Sequence, residues 1–192
     1  MLMLAVIGLA SAAIMRNATS GDQVANNNRL QSQASQYAQL ALKFCETQMA
    51  LAPGMRSVTL FPAASNAAWT VRANWTRPGA ASAHTLAPAE IGSAVQPRVA
   101  PQCLMEATAV PNVYTLTARG FSADFKADAG TGATRSGSVV WLQATVFAEG
   151  DGAAAGETSA NAGTNADAPR GTATGALRLR QRQWQQLLTP PF

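Results

Sequence analysis

No proline occurs between Met1 and Ala52, and only Gly8 and Gly21 relax the backbone over that stretch. Pro53-Gly54 then stops any helix, because proline lacks the N–H and its ring clashes with the preceding turn. Apolar residues recur as Leu30, Ala34, Tyr37, Ala41, Phe44, Cys45 and Met49, which is the three–four spacing of one helix face. Gln36, Gln39, Lys43 and Glu46 fall on the other side. The pattern predicts one helix over residues 1–52, amphipathic in its second half, with Leu30, Tyr37, Ala41 and Phe44 as the sheet-packing positions. At a rise of about 1.5 Å per residue such a helix is roughly 75 Å long. A globular body of this size needs no helix of that length, so its first part must go somewhere apolar.

The segment MLMLAVIGLASAAIM carries no charge before Arg16. It is shorter than the roughly 20 apolar residues of a membrane-spanning helix. Its length suits the apolar core of a signal peptide, but no Lys or Arg precedes it. A buried core helix is a second reading. The third, which we adopt as the expectation, is the later part of a membrane helix whose first turns lie upstream of Met1.

The chain has 192 residues, so one domain with an appendage is expected. Charged residues make up 12%, against about a quarter in ordinary soluble domains. That fits a surface covered by small uncharged residues or buried in an assembly. The formal net charge of +4 comes largely from scattered arginines. The local run Arg178, Arg180, Arg182 falls on one face of a strand, either a solvated edge or a patch for an acidic partner. The scatter makes nucleic acid an unexpected partner. Cys45 and Cys103 lack CxxC spacing and, with the single His84, are too few for common metal sites. In an exported chain they suggest one disulfide, which contributes roughly 3–4 kcal/mol by closing the loop between them; in any other chain they are two separate buried thiols.

After Pro53 the pattern turns to strands: 57–61, then 69–75, where Trp69, Val71, Ala73 and Trp75 alternate onto one face. Residues 76–101 are Pro- and Ala-rich and read as a long loop, with a short strand or turn at 103–106. Strands follow at 113–121 and 137–147, joined by a hairpin loop over 122–136 and therefore antiparallel. Residues 148–175 contain Ala, Gly, Asn and Thr but almost no large apolar side chain, so they bury no core and read as a surface insertion. A last strand is expected at 176–183. The fold class is therefore α+β, with a long N-terminal helix (1–52) packed on an antiparallel β domain (53–192).

No catalytic constellation is legible. His84 has no Asp or Cys near it in sequence, Glu90 and Glu106 are isolated carboxylates, and the Gly-rich segment 130–137 lacks the lysine of a phosphate loop. Asn17-Ala-Thr and Asn74-Trp-Thr match the glycosylation sequon, a pattern short enough to recur by chance. No enzyme activity, cofactor or metal is expected.

The segment IMRNATSGDQVANNNRLQSQASQYAQLALKFCE resembles the N-terminal helix of the PilX family of type IV pilus minor pilins. Arg16, Val24-Ala25-Asn26-Asn27-Asn28-Arg29 and the stretch Ala34 to Leu42 stand where that family has its Arg, its polar patch and its amphipathic helix. YTLTARGFSAD, GSVVWLQATV and RQWQQLLTPPF are similar to the family's later segments, so the likeness covers about half the chain. Family members also carry a basic leader, a Gly cut by prepilin peptidase and a Glu at the fifth mature position, and these are expected upstream of Met1. The resemblance implies a pilin-like fold and a structural role in pilus assembly, with effects on adhesion, aggregation or twitching. It implies that Leu2, Leu4, Val6, Ile7, Leu9 and Ile14 pack in the inner membrane and then in the pilus core. The implied partners are other pilins, inner-membrane assembly proteins and the membrane itself, with no small-molecule substrate. The implied location is the inner membrane, then the cell surface. The same architecture suits a minor pseudopilin of a type II secretion system. A membrane-anchored periplasmic binding module, reading a ligand through Trp69 and Trp75, is a different class.

Overall fold

A computed structural model describes the backbone of residues 2–76, 82–92, 96–128, 133–150, 177–188 and 191, and side chains from residue 21 onward except those of 150, 177, 178, 180 and 181. One helix, α1 (Leu2–Ala50), fills almost the whole predicted span. Its end is held by Arg56, whose guanidinium donates to the Leu51 carbonyl at 2.9 Å and the Met49 carbonyl at 3.1 Å, satisfying oxygens that the helix leaves open. Pro53–Met55 then form a 3₁₀ turn.

The remaining elements are β1 (Leu60–Phe61), a 3₁₀ turn at Ala68–Thr70, α2 (Ala73–Thr76), β2 (His84–Thr85), α3 (Pro88–Ile91), β3 (Gln102–Ala107), β4 (Val113–Phe121), β5 (Lys126–Ala127), β6 (Thr134–Ser136), β7 (Val139–Gly150) and β8 (Leu177–Leu187). The main sheet runs in the order β1-β3-β4-β7-β8, with β2 also on β3, while β5 and β6 form a small ribbon of their own. β3–β4, β4–β7 and β7–β8 are antiparallel, as the sequence led us to expect. β1, however, runs parallel to β3, so the sheet is mixed and not purely antiparallel.

Other expectations need correction. Strand 57–61 shrinks to the two residues of β1. Residues 69–75 form a 3₁₀ turn and a short helix, not a strand. Their alternation does not mark one face: Trp75 is buried while Val71 is 40% exposed. The loop 76–101 contains β2 and α3, and the loop 122–136 contains β5 and β6. Segment 103–106 lies in a full strand, paired on both edges. β7 starts at Val139 and runs on to Gly150, so the start of the predicted insertion belongs to a strand. Residues 151–176 lie outside the described residues.

The sheet carries a core on each face. On one, Ala34, Ala38, Ala41, Leu42, Cys45 and Met49 of α1 meet Cys103, Met105, Leu116, Ala118, Leu142, Ala144 and Val146. Fully burying a side chain such as Leu42 or Leu116 contributes about 1.5–3 kcal/mol. Ala38 and Leu42 belong to this stripe, although the sequence reading passed over them; Tyr37 and Phe44 flank it, half-buried. Leu30 is half-buried and outside the cluster, at the point where the helix leaves the sheet.

Gly120 explains how closely the helix lies. A Cβ at this position would stand 2.2 Å from the Ala38 nitrogen and 2.3 Å from the Ala34 oxygen. β4 and α1 therefore touch backbone to backbone, which only glycine permits. The Cys45–Cys103 disulfide fastens the same helix to β3. Overpacking at such a site typically costs about 1–3 kcal/mol, and here no flexible side chain can yield. Gly120→Ala should lower stability in urea unfolding by at least about 2 kcal/mol, whereas Gly54→Ala, which meets nothing within 4 Å, should change it little. Replacing both Cys45 and Cys103 by serine should cost up to about 4 kcal/mol in the same assay, measured without reductant.

Candidate interaction surfaces

Three surfaces offer themselves to partners. The first is the upstream half of α1. Residues 21–29 are exposed on every side, including Val24 at 58%. From Ala34 onward the buried positions return at i, i+4, i+7 and i+8. One helix thus changes from free rod to packed strut within about a turn. Leu2, Leu4, Val6, Ile7, Leu9 and Ile14 lie upstream in α1, and their side chains are outside the described residues. Among the described residues, no helix is long and apolar enough to cross a membrane.

The second surface is β8, at the end of the sheet. It pairs with β7 on one side, and among the described residues nothing pairs with its other edge. Trp184 stands opposite Ala144 on the α1 face but is 58% exposed, because α1 lies mainly over β3, β4 and β7. Arg182 Nε lies 2.7 Å from Glu46 Oε1 and ties the strand to the helix. The contact is charge to charge, without the alignment of a good hydrogen bond. Burial raises the Glu46 carboxyl above its ordinary pKa, with Arg182 and then Lys43 pulling the other way. Glu46, assigned by sequence to the solvent side, is therefore half-buried. Of the arginine run, only the side chain of Arg182 is described; those of Arg178 and Arg180 lie outside the described residues. In the backbone pairing Arg178 is registered with Glu149 and Arg182 with Val146, with a register shift between Phe147 and Ala148.

The third surface is the sheet face away from α1. Trp75, Trp141, Leu104, Ala68 and Ala83 form a second core there, with Trp69 half-buried beside them. Trp75 Nε1–H donates to the Trp69 carbonyl at 2.9 Å, and its ring meets Trp141 edge to face at 4.8 Å. The two tryptophans expected to share a binding face thus divide: Trp75 is core, and only Trp69 reaches the surface. Asn74 of the sequon donates to the Ala68 carbonyl at 2.8 Å.

Arg119 enters this core from β4. It lies 5.1 Å from the Trp75 ring, 5.2 Å from Phe121 and 5.2 Å from Trp141. It donates to Gln102 Oε1 at 2.7 Å and to the Trp75 carbonyl at 2.8 Å. Burial lowers its pKa to about 9, so the guanidinium is still a cation at neutral pH. Ring faces and two acceptors hold the charge.

His84 is not the isolated loop residue its sequence context suggested. It sits on β2 opposite Cys103, stacks on Phe44 at 5.1 Å and meets Glu90 Oε2 at 2.9 Å. Glu90 also accepts the Ala87 N–H at 2.7 Å. This cluster ties the 84–91 segment to α1 through the Phe44 ring. Among the described residues, no group of three His, Cys, Asp or Glu could hold a metal ion.

No family model, no curated protein and no solved structure matches the chain. The functional reading therefore rests on these surfaces and on the sequence.

Sequence reasoning passed over Arg119, Trp184 and Gly120, and only the strand pairing brings out their roles. Arg119→Lys keeps the charge but loses the planar stack and one of the two hydrogen bonds. It should lower stability by about 1–3 kcal/mol in denaturant titrations followed by tryptophan fluorescence.

Proposed function

We propose that this protein is a structural minor pilin, a subunit that helps prime or cap type IV pilus assembly and so affects adhesion, aggregation or twitching. One observation carries the reading: residues 34–49 of α1 are a packed strut, and residues 21–29 of the same helix are an uncovered rod. Residues 34–49 are fastened to the sheet by the alanine–glycine contact and the disulfide. Residues 21–29 cover no part of their own domain, and the apolar segment 2–15 continues the same helix. A helix exposed on all sides is marginal in water on its own and gains stability by packing against neighbours or entering lipid. Gly8, Ala10, Ser11, Ala12 and Ala13 are small residues of the type that lets helices approach closely in apolar surroundings.

In this reading the globular body stays outside the inner membrane, where an oxidising compartment forms the Cys45–Cys103 bond. The apolar segment holds the subunit in the membrane before assembly and packs among other pilins afterwards. No catalysis is assigned.

The test is made in the source organism. Filaments sheared from the surface should contain this protein beside other pilins, and deleting its gene should reduce piliation and twitching while secreted proteins stay unchanged. Filaments free of it with piliation intact would overturn the proposal. Loss of secretion with normal pili would favour the secretion-system pseudopilin instead.

A further inference from the structure

A cleft of about 490 Å³ opens on the sheet face away from α1, between the irregular segment before the Ala68–Thr70 turn and the adjoining parts of β3 and β4. Five alanines wall it, Trp69 lines one side, and Ser65, Thr108 and Thr115 supply hydroxyls. Glu106 completes the lining from β3, opposite Thr115 in register.

Glu106 is only 5% exposed. Its Oε1 accepts the Ala68 N–H at 2.8 Å. Its Oε2 is buried and has no hydrogen-bond partner. A buried carboxylate oxygen without a donor carries an uncompensated desolvation cost. No lysine, arginine or histidine lines the cleft.

We propose that this cleft binds a primary ammonium group on a short aliphatic stem, with Glu106 as its counter-ion. A charged N–H is the donor that a lone carboxylate oxygen holds most strongly. The alanine walls suit methylene groups, and the indole of Trp69 beside them favours a cation. A guanidinium would use two acceptors in one plane, whereas Glu106 has a single free oxygen. Calcium would demand six to eight oxygens, more than one carboxylate and a few hydroxyls provide. Because Oε2 is closed off in the free protein, the 63–67 segment yields outward as the ammonium enters. The group can come from a free alkylamine or from a lysine of a neighbouring chain.

The test is an amide-resolved NMR titration of the full chain at constant ionic strength, with n-butylammonium, n-butanol and a capped lysine as probes. Butylammonium should shift the Ala68 amide and the amides of Ser65, Thr108 and Thr115, with saturation, and butanol should not. Glu106→Gln keeps an oxygen for the Ala68 N–H and should weaken butylammonium at least tenfold. Should that variant fail to fold, Ala109→Phe at the exposed rim should block the cleft and abolish the shifts. Capped lysine binding as butylammonium does supports a lysine of a neighbouring chain; binding of butylammonium alone supports a free amine. Equal shifts from amine and alcohol, no saturable shift, or unchanged binding by either variant would overturn the proposal.

Discussion

The structure depends on the backbone contact between α1 and β4. Gly120 leaves no side chain between the strand and the helix, and Ala34 and Ala38 keep the helix side equally thin. With the two backbones this close, larger residues farther along the helix reach the sheet as well. Leu42, Cys45 and Met49 are nearly or fully buried because the contact at Gly120 sets their depth. The disulfide then holds the downstream part of the packed segment, so the helix is fixed at two separated points. Helix position, disulfide geometry and core depth are consequences of one another.

The far face is built differently. Among the described residues no long element covers it, and it relies on a short, irregular segment carrying two tryptophans. Arg119 serves as a cross-piece there, reaching from β4 to the Trp75 carbonyl and to Gln102 on β3. Glu106 performs a related task farther along β3, holding the Ala68 amide. Two ionisable side chains on neighbouring strands thus organise one loop from beneath. The loop and the sheet leave between them a cleft that Glu106 lines, and the second oxygen of Glu106, closed off from it, has no donor.

Much of this was legible in the sequence, for identifiable reasons. A proline-free run with three–four apolar spacing gave α1 nearly to its ends, because helix periodicity is local. β4 and β7 were readable since both are long and rich in β-branched and aromatic residues. The parallel pairing of β1 was not, since two residues of strand leave no pattern. The alternation at 69–75 misled because a turn folds Trp75 into the core and leaves Trp69 half-buried beside it, with no shared strand face. The register shift between β7 and β8 at Phe147 and Ala148 depends on the pairing of two strands, which a single strand's sequence does not encode. Glu106 looked like an isolated carboxylate and Arg119 drew no notice, because their partners, a backbone amide, a backbone carbonyl, Gln102 and aromatic rings, come from segments distant in sequence.

The division of α1 into a fastened strut and an uncovered rod is the central claim, and hydrogen–deuterium exchange on the purified chain tests it most directly. Residues 34–49 should exchange as slowly as β3, β4 and β7, through global unfolding, while amides of residues 21–29 exchange far faster through local fraying. Equal protection of the two halves, or rapid exchange across 34–49, would contradict the account.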